Sequence, residues 1–128
     1  MIIIGNGVDI VENRRIFTAI KKKEFINRIF SKQEINDSKS HKNKANYYAK
    51  RFAAKEAFLK ALGTGLSGGV EFKDISVKNN KIGKPALFLS DKLKKIIFKK
   101  FKTKKFETHV SLSDERKHSI AFVILNTK

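Results

Sequence analysis

The side chains of this sequence that could do chemistry are few and charged. Asp9 follows an apolar run near the start of the chain, while Glu56 and Lys60 stand one helical turn apart in the segment between Arg51 and Gly65. Charged groups among large apolar residues need partners, because burying an unpaired charge is expensive. Those partners could be other side chains, or the metal ion and phosphates of a ligand, since two carboxylates with phosphate oxygens and waters make a typical magnesium site.

Both acidic positions also have a simpler interpretation. Glu56 and Lys60 could form a surface pair on one helix, worth about 0.2–0.5 kcal/mol. Asp9 could cap a helix that begins after it. The segment 47–62 is apolar round most of its helical circumference, and this favours a buried or cleft-lining position for Glu56 over a solvated one.

A further candidate lies in a predicted strand over residues 106–113. There His109 and Ser111 alternate with the apolar Val110 and Leu112, so the two polar residues share one face. That face could be wholly solvated, or His109 could touch a ligand phosphate or donate a proton.

Hydrophobic spacing predicts the elements that position these residues. Strands are predicted over 2–10, 70–78, 85–90, 106–113 and 118–125, the last two joined as a hairpin. Helices are predicted over 10–30, 47–62 and 91–102, a capping box from Ser31 to Glu34 starts another, and 36–46 is predicted to be an exposed loop. This order predicts an α+β fold in which residues 1–128 form a single domain, with a mostly antiparallel sheet packed on a long buried helix.

The helix predicted over 47–62 has one bulky side and one narrow side. The narrow side, where another backbone could pack closely, carries Ala49, Ala53, Ala57 and Ala61. Four glycines follow the helix and predict a flexible turn with room for close backbone approach: Gly63, Gly65, Gly68 and Gly69.

Composition restricts the class of protein. The formal charge of +17 could indicate a non-catalytic nucleic-acid-binding module, but lysine supplies 24 of the 29 basic residues and arginine, the usual reader of base edges, is scarce. In the lysine-rich segment 91–105, helical spacing predicts that Phe98 and Phe101 face the core. The absence of cysteine excludes disulfides and thiolate chemistry and fits a reducing compartment. No signal peptide or membrane span is expected.

Three segments together resemble the signatures of the bacterial holo-(acyl-carrier-protein) synthases. The first is Gly-Asn-Gly-Val-Asp-Ile-Val-Glu over residues 5–12, followed by Arg15; the second runs from Arg51 to Gly65; the third is His-Val-Ser-Leu-Ser over 109–113. Residues 81–85 also match a family segment. The order and spacing of these motifs over almost the whole chain make the resemblance specific.

The resemblance implies a 4′-phosphopantetheinyl transferase. Members of that family move the phosphopantetheine arm of coenzyme A, their substrate, to a serine of apo acyl carrier protein, and adenosine 3′,5′-bisphosphate is released. The resemblance also implies Mg²⁺ as cofactor, a role in fatty acid biosynthesis, a cytoplasmic location and a homotrimer with active sites between subunits. It implies neither a nucleic-acid partner nor a membrane partner.

The resemblance assigns roles to particular residues. The metal ligands and the active-site lysine fall on Asp9, Glu56 and Lys60, which are the expected catalytic residues. Carrier-protein contacts fall on Arg14 and Arg15, and an acidic carrier protein would give the net charge a use. Asp114 stands where the family often has a histidine. The residues expected to contact coenzyme A are Arg51, Lys60, Gly63, Gly65, Pro85, His109 and Ser111.

Overall fold

A three-stranded antiparallel sheet covers one long helix. The computed structural model describes every residue from Met1 to Lys128. Strand β1 (Ile3–Glu12) lies at one edge of the sheet, β5 (His118–Thr127) in the centre and β4 (Phe106–Asp114) at the other edge. Helix α4 (Lys44–Leu62) packs on one face of this sheet. Most of its side chains join a single core of 23 buried hydrophobic residues.

The remaining elements surround that helix and complete the α+β fold expected from the sequence, which is thereby confirmed. A separate two-stranded antiparallel sheet pairs β2 with β3. Two short 3-10 turns, over Ser67–Gly69 and Phe72–Asp74, lead from α4 into that sheet. The other bounds are α1 Asn13–Ala19, α2 Lys23–Ile29, α3 Lys32–Ser38, β2 Ile75–Asn79, β3 Pro85–Leu89 and α5 Asp91–Phe101.

Two glycines in β1 allow the sheet to approach α4 closely. A Cβ atom added at Gly5 would lie 2.9 Å from the carbonyl carbon of Ala61, and one added at Gly7 would lie 2.8 Å from the amide nitrogen of Ala61. Any side chain at these positions would overlap the helix backbone. The narrow alanine side predicted for this helix is therefore confirmed, and the backbone that packs against it is β1.

A buried ion pair fixes α4 to its neighbours. Lys55 Nζ lies 2.7 Å from Glu34 Oε1, and both side chains are fully buried. Lys55 also donates to the carbonyl oxygens of Phe72 and Ile75, while Glu34 accepts from the backbone of Val77. Breaking such a pair is strongly destabilising, because the partner left behind would be an uncompensated buried charge. The pair therefore holds α3, α4 and β2 together.

The prediction of one helix over residues 10–30 is wrong. Strand β1 continues to Glu12, because that residue still pairs with His118 of β5. Two short helices follow, and the turn between α1 and α2 bends the chain. A straight helix of that length would be about 30 Å long, whereas the turn lets Ile29 and Phe30 reach the core.

Other boundaries shift by a few residues. The capping box is confirmed, because Ser31 Oγ accepts from the Glu34 amide and the Glu34 carboxylate accepts from the Ser31 amide. The loop predicted over 36–46 is shorter, since α3 extends to Ser38 and α4 already begins after its cap, Asn43. The strand predicted over 70–78 starts only at Ile75, because a 3-10 turn precedes it.

The second face of the three-stranded sheet is largely uncovered. Val8 pairs with Phe122 and Ile10 pairs with Ile120 across β1 and β5, on the face that points away from α4. These four side chains are between 39% and 59% exposed. We call them the apolar sheet face. An apolar patch of this kind on a sheet commonly marks a contact with another protein surface.

Candidate active site

Asp9 reaches the helix because of its place in β1. Gly5 and Gly7 face α4, and since side chains alternate along a strand, Asp9 faces it too. It lies three residues before the end of β1, not at the end as predicted. The cap position of α1 is occupied by Glu12, so Asp9 is not the cap of that helix. The two glycines thus bring the strand close enough for the Asp9 carboxylate to meet the polar edge of α4.

Glu56 lies close enough to Asp9 for the two charges to interact. Its pKa is raised, first by partial burial and second by the negative charge of Asp9, while Lys60 and Arg15 partly offset the rise. A divalent cation held near both residues would favour the ionised form of the Glu56 carboxylate. The neighbouring negative charges of Glu56 and Asp9 are therefore compatible with a divalent metal ion.

Lys60 pairs with the strand and not with its own helix. Its Nζ donates to Asp9 Oδ1 at 3.2 Å and to the carbonyl oxygen of Val8 at 3.0 Å. The side chain of Lys60 is 56% exposed, whereas that of Asp9 is 16% exposed. The surface pair of Glu56 with Lys60 is therefore not what forms. Lys60 instead places an accessible ammonium group beside the two carboxylates.

A cavity opens directly beside these charges. Its volume is about 460 Å³, and it brings together Glu56, Lys60 and two of the glycines that follow α4. Gly63 ends the helix with a φ of 84°, a conformation that glycine adopts without strain. Sequence reasoning missed the apolar part of the wall, although Leu59 belongs to the apolar run Ala57-Phe58-Leu59; Phe72, between Glu71 and Lys73, gave no such signal. The full lining is Glu56, Leu59, Lys60, Gly63, Gly65, Leu66 and Phe72.

The residues present fit a magnesium ion. No group of three or more histidine, cysteine, aspartate or glutamate side chains gathers in this structure. Mg²⁺ usually keeps several waters and is held by one or two carboxylates together with substrate phosphates. Asp9 and Glu56, with mutually repelling charges beside an open cavity, provide that donor set.

Arg51 contacts Tyr47 of its own helix and forms no hydrogen bond with Asp9, Glu56 or Lys60. Its guanidinium carbon lies 3.7 Å from the centre of the Tyr47 ring, and its Nη1 lies 3.4 Å from the Tyr47 carbonyl oxygen. The residue is buried, and its Nε is a buried polar atom without a hydrogen-bond partner. A buried donor of this kind costs free energy until a partner is supplied.

Within one chain, His109 and Ser111 do not meet the carboxylates. His109 pairs with Ile124 of β5, on the face of the sheet opposite to the one that carries Asp9. Its Nε2 lies 2.7 Å from Asn126 Oδ1, which leaves Nδ1 available. The polar face predicted for this strand is present, with His109 and Ser111 exposed and Val110 buried. Pro85 opens β3, in the separate two-stranded sheet.

Arg14 and Arg15 lie in the first turn of α1 and are exposed. Arg15 stands 6.0 Å from the centre of the Phe52 ring and contributes to the electrostatics of Glu56. Arg14 lines a shallow cavity of about 710 Å³ that also includes the exposed Phe17. Arg15 therefore lies within electrostatic reach of Glu56, whereas Arg14 lines a separate cavity.

Asp114 has a structural contact in this chain. Its Oδ2 accepts from Asn46 Nδ2 at 2.7 Å, and its Oδ1 lies 3.7 Å from Lys50 Nζ. These contacts join the end of β4 to the first turns of α4. The aspartate at this position thus stabilises the hairpin against the helix.

The fold and this site together define a class of protein: an α+β domain with two carboxylates and a lysine at the junction of a strand and a long helix. The family model for the 4′-phosphopantetheinyl transferase superfamily matches residues 5–123. A holo-(acyl-carrier-protein) synthase of Pelagibacter ubique is 53% identical over 128 residues, covering the whole of both chains.

Solved structures agree with that match. The holo-(acyl-carrier-protein) synthase of Neisseria meningitidis superposes with a TM-score of 0.87 at 37% identity, covering 99% of this chain and 100% of that one. The enzyme of that name from Bacillus anthracis, in complex with CoA (3′,5′-ADP), gives a TM-score of 0.82 at 35% identity, covering 100% of each chain. The chain belongs to the 4′-phosphopantetheinyl transferase superfamily and, within it, to the holo-(acyl-carrier-protein) synthases.

Proposed function

We propose that this chain transfers the 4′-phosphopantetheine group of coenzyme A to a serine of apo acyl carrier protein, with Mg²⁺ held by Asp9 and Glu56. The observation that carries the proposal is the meeting of these carboxylates and Lys60 beside one cavity. The similarity to holo-(acyl-carrier-protein) synthases, one of them in complex with CoA, supports the reaction. Neither observation supports the alternative of a non-catalytic nucleic-acid-binding module.

The chain's own residues would act by positioning and by charge. Phosphoryl transfer depends mainly on holding the reacting groups in line and on neutralising the charge that develops at phosphorus. When bound, the metal ion would supply Lewis-acid stabilisation of the pyrophosphate. Asp9 and Glu56 would fix its position, and Lys60 would add a cation at the leaving bisphosphate. Gly63 and Gly65 would let the backbone approach coenzyme A closely.

The test of the reaction is transfer of a fluorescent coenzyme A analogue to an apo carrier protein. We expect labelling of the carrier serine in the presence of Mg²⁺, loss of labelling in excess EDTA, and recovery when Mg²⁺ is restored. A carrier protein whose acceptor serine is changed to alanine serves as the control. Labelling that persists unchanged in EDTA would contradict the metal site.

We infer further that coenzyme A lies between subunits. Asp9 and His109 occupy opposite faces of the sheet, so one chain cannot bring both to the same phosphate group. A second copy could supply His109, Ser111 and Pro85 to the site formed by Asp9 and Glu56. The unsatisfied Nε of the buried Arg51 would gain a partner from a coenzyme A phosphate in that arrangement.

The apolar sheet face is the surface we propose for this homotrimer, because its four apolar side chains are uncovered in the single chain. Replacing Phe122 by Asp would place a charge at its centre and should convert the assembly to monomers, with loss of labelling activity. Size-exclusion chromatography with light scattering measures the assembly. The matched control is Phe17→Asp, because Phe17 is similarly exposed but lies outside that face; it should leave the assembly unchanged, and it is read by assembly alone because Phe17 lies beside Arg14 on α1. A parent protein that is already monomeric and active would contradict the trimer.

The carrier protein is proposed to dock at α1. Arg14 is the cleaner residue to test, because Arg15 also acts on Glu56. We expect Arg14→Glu to raise the KM for an acidic carrier protein by about tenfold or more, through like-charge repulsion at the contact. The KM for coenzyme A should stay within about twofold of the parent value. Lys78→Glu, the same charge reversal on β2, is the control, and an equal effect there would indicate nonspecific attraction.

We also propose fatty acid biosynthesis as the pathway and the cytoplasm as the location. The resemblance supports fatty acid biosynthesis as the pathway, and coenzyme A as substrate favours the cytoplasm. No helix is long and apolar enough to cross a membrane. Cell fractionation followed by the labelling assay would test the location, and recovery of the activity in a membrane or extracellular fraction would contradict it.

A further inference from the structure

A groove away from the carboxylate pair is lined by aromatic rings from three elements. Phe88 of β3, Phe98 of α5 and Phe106 of β4 line a cavity of about 520 Å³. The rings of Phe98 and Phe106 meet edge to face, with centres 5.6 Å apart. Helical spacing predicted that Phe98 faces the core, but it is 36% exposed and Phe88 is 51% exposed. The core beneath α5 is instead filled by Leu93 and Ile97, so these two phenylalanines remain available at the surface.

Lysines surround these rings. Lys94, Lys104, Lys105 and Lys128 line the same groove, and the lining includes no aspartate or glutamate. None of these four lysines forms an ion pair. On α5 and the loop after it, Lys92 is the lysine that forms ion pairs, and its partners Glu71 and Asp74 lie outside the groove. Unpaired like charges around a concave apolar surface create a positive potential that attracts an anion. The groove therefore combines an apolar floor with a cationic rim.

The rim and the floor restrict what could occupy the groove. A second copy of the chain docked through the same groove would bring these lysines against the identical lysines of its partner, which like-charge repulsion disfavours. A small inorganic anion would leave the aromatic floor unused. Lysine ammonium groups are point charges, so an anionic head group that makes no bidentate contact, such as a carboxylate, can lie among them. The volume lies within the range of ordinary small-ligand sites.

We propose that this groove binds a single-chain fatty carboxylate, with the alkyl chain on the three phenylalanine rings and the carboxylate among the lysines. Burial of the chain on the rings provides the affinity, since each methylene removed from water strengthens binding by about fourfold. The lysines provide the selection of an anion over a neutral amphiphile of equal length. The site is separate from the cavity beside Glu56 and does not depend on the proposed transferase reaction.

The test is calorimetric titration of the full chain with decanoate below its micelle concentration, together with octanoate, 1-octanol and acetate. We expect saturable binding of one decanoate per chain, about 16-fold weaker binding of octanoate, weaker binding still of 1-octanol, and no binding of acetate. Phe88→Ala should weaken decanoate binding by about tenfold, because it removes a ring from the floor. The matched control is Phe17→Ala, an equally exposed phenylalanine outside the groove, which should bind as the parent does.

The charge requirement is tested with Lys104→Glu/Lys105→Glu against Lys78→Glu/Lys81→Glu, which has the same net charge but lies outside the groove. Only the groove pair should abolish the preference for octanoate over 1-octanol, with far-UV circular dichroism unchanged. Equal loss in both pairs, affinity independent of chain length, or binding unaffected by Phe88→Ala would overturn the proposal. Binding to anionic phospholipid vesicles without binding of monomeric decanoate would also overturn it and indicate a membrane surface instead.

Discussion

Replacing Glu56 by Gln, or Asp9 by Asn, is expected to reduce Mg²⁺-dependent labelling of apo carrier protein by about 10²–10³-fold or more. Each change removes one of the two charges that would hold the metal ion. No third carboxylate, histidine or cysteine lies close enough to replace the lost ligand. Labelling rates at saturating coenzyme A and carrier protein measure the effect. Because the metal ion that these two carboxylates would hold acts on the transferring phosphate, the loss of labelling rate should appear mainly in kcat.

The control for this prediction is stability in the absence of metal. Burial and the charge of Asp9 raise the pKa of Glu56 in the folded chain above its value in the unfolded chain. Folding is therefore favoured at acid pH, where Glu56 is protonated in both states, and this contribution is lost as the pH rises through the folded-state pKa. At neutral pH the metal-free Glu56→Gln protein should be at least as stable as the parent, and the difference should disappear in acid.

Chemical denaturation in EDTA at neutral and acid pH measures that difference. A Glu56→Gln protein that is both inactive and clearly less stable would have lost activity through folding, and the assignment of a metal ligand would lose its support. If Glu56→Gln and Asp9→Asn both retained full activity, the metal site would lie elsewhere. The two variants together therefore separate a role in the reaction from a role in the fold.

A large effect on stability is expected at Gly7. In Gly7→Ala the new Cβ would lie 2.8 Å from the Ala61 amide nitrogen and closer still to the Ala57 carbonyl oxygen. Both obstacles are backbone atoms of a helix, so no rotation of a side chain can relieve the overlap. Overpacking of a core costs about 1–3 kcal/mol, occasionally more, and a clash between two backbones belongs at the upper end. Urea denaturation monitored by circular dichroism would measure the loss.

The matched control is the same substitution at Gly68, which has a φ of 77° and nothing within 4 Å of the added Cβ. Gly68→Ala should cost about 1 kcal/mol from backbone strain alone. Equal destabilisation by the two changes would mean that steric contact with α4 is unimportant. Gly7→Ala should also reduce labelling in the fraction that remains folded, because it would move Asp9 away from Glu56.

Much of the fold was predictable because its signals are local. Alternation in β4 and β5 predicted the hairpin, and Ser31 with Glu34 predicted a helix start, since both patterns depend on residues near in sequence. The region 10–30 was not predictable in the same way. Its apolar spacing suits a helix, but pairing with β5 keeps the chain extended to Glu12, and that partner lies more than a hundred residues away.

The same contrast between local pattern and tertiary packing separates two of the four lysines of α4. Lys55 and Lys60 both stand near Glu56 in the sequence, yet Lys55 is fully buried against Glu34 and Lys60 is accessible beside Asp9. Helical spacing cannot distinguish them, because the difference arises from elements packed on each side of the helix. The motif resemblance selected Lys60, and the structure supplies the physical reason: only Lys60 can reach a ligand.

By itself the sequence determined the α+β class, the narrow alanine side of α4 and the candidate residues Asp9, Glu56 and Lys60. Only the tertiary structure decided that these three meet, that Lys60 pairs with Asp9, and that His109 lies on the opposite face of the sheet. Side-chain periodicity is a property of neighbouring residues and is therefore visible in a sequence. The distance between Asp9 and Glu56 depends on how closely β1 approaches α4, and that is set by packing at Gly5 and Gly7.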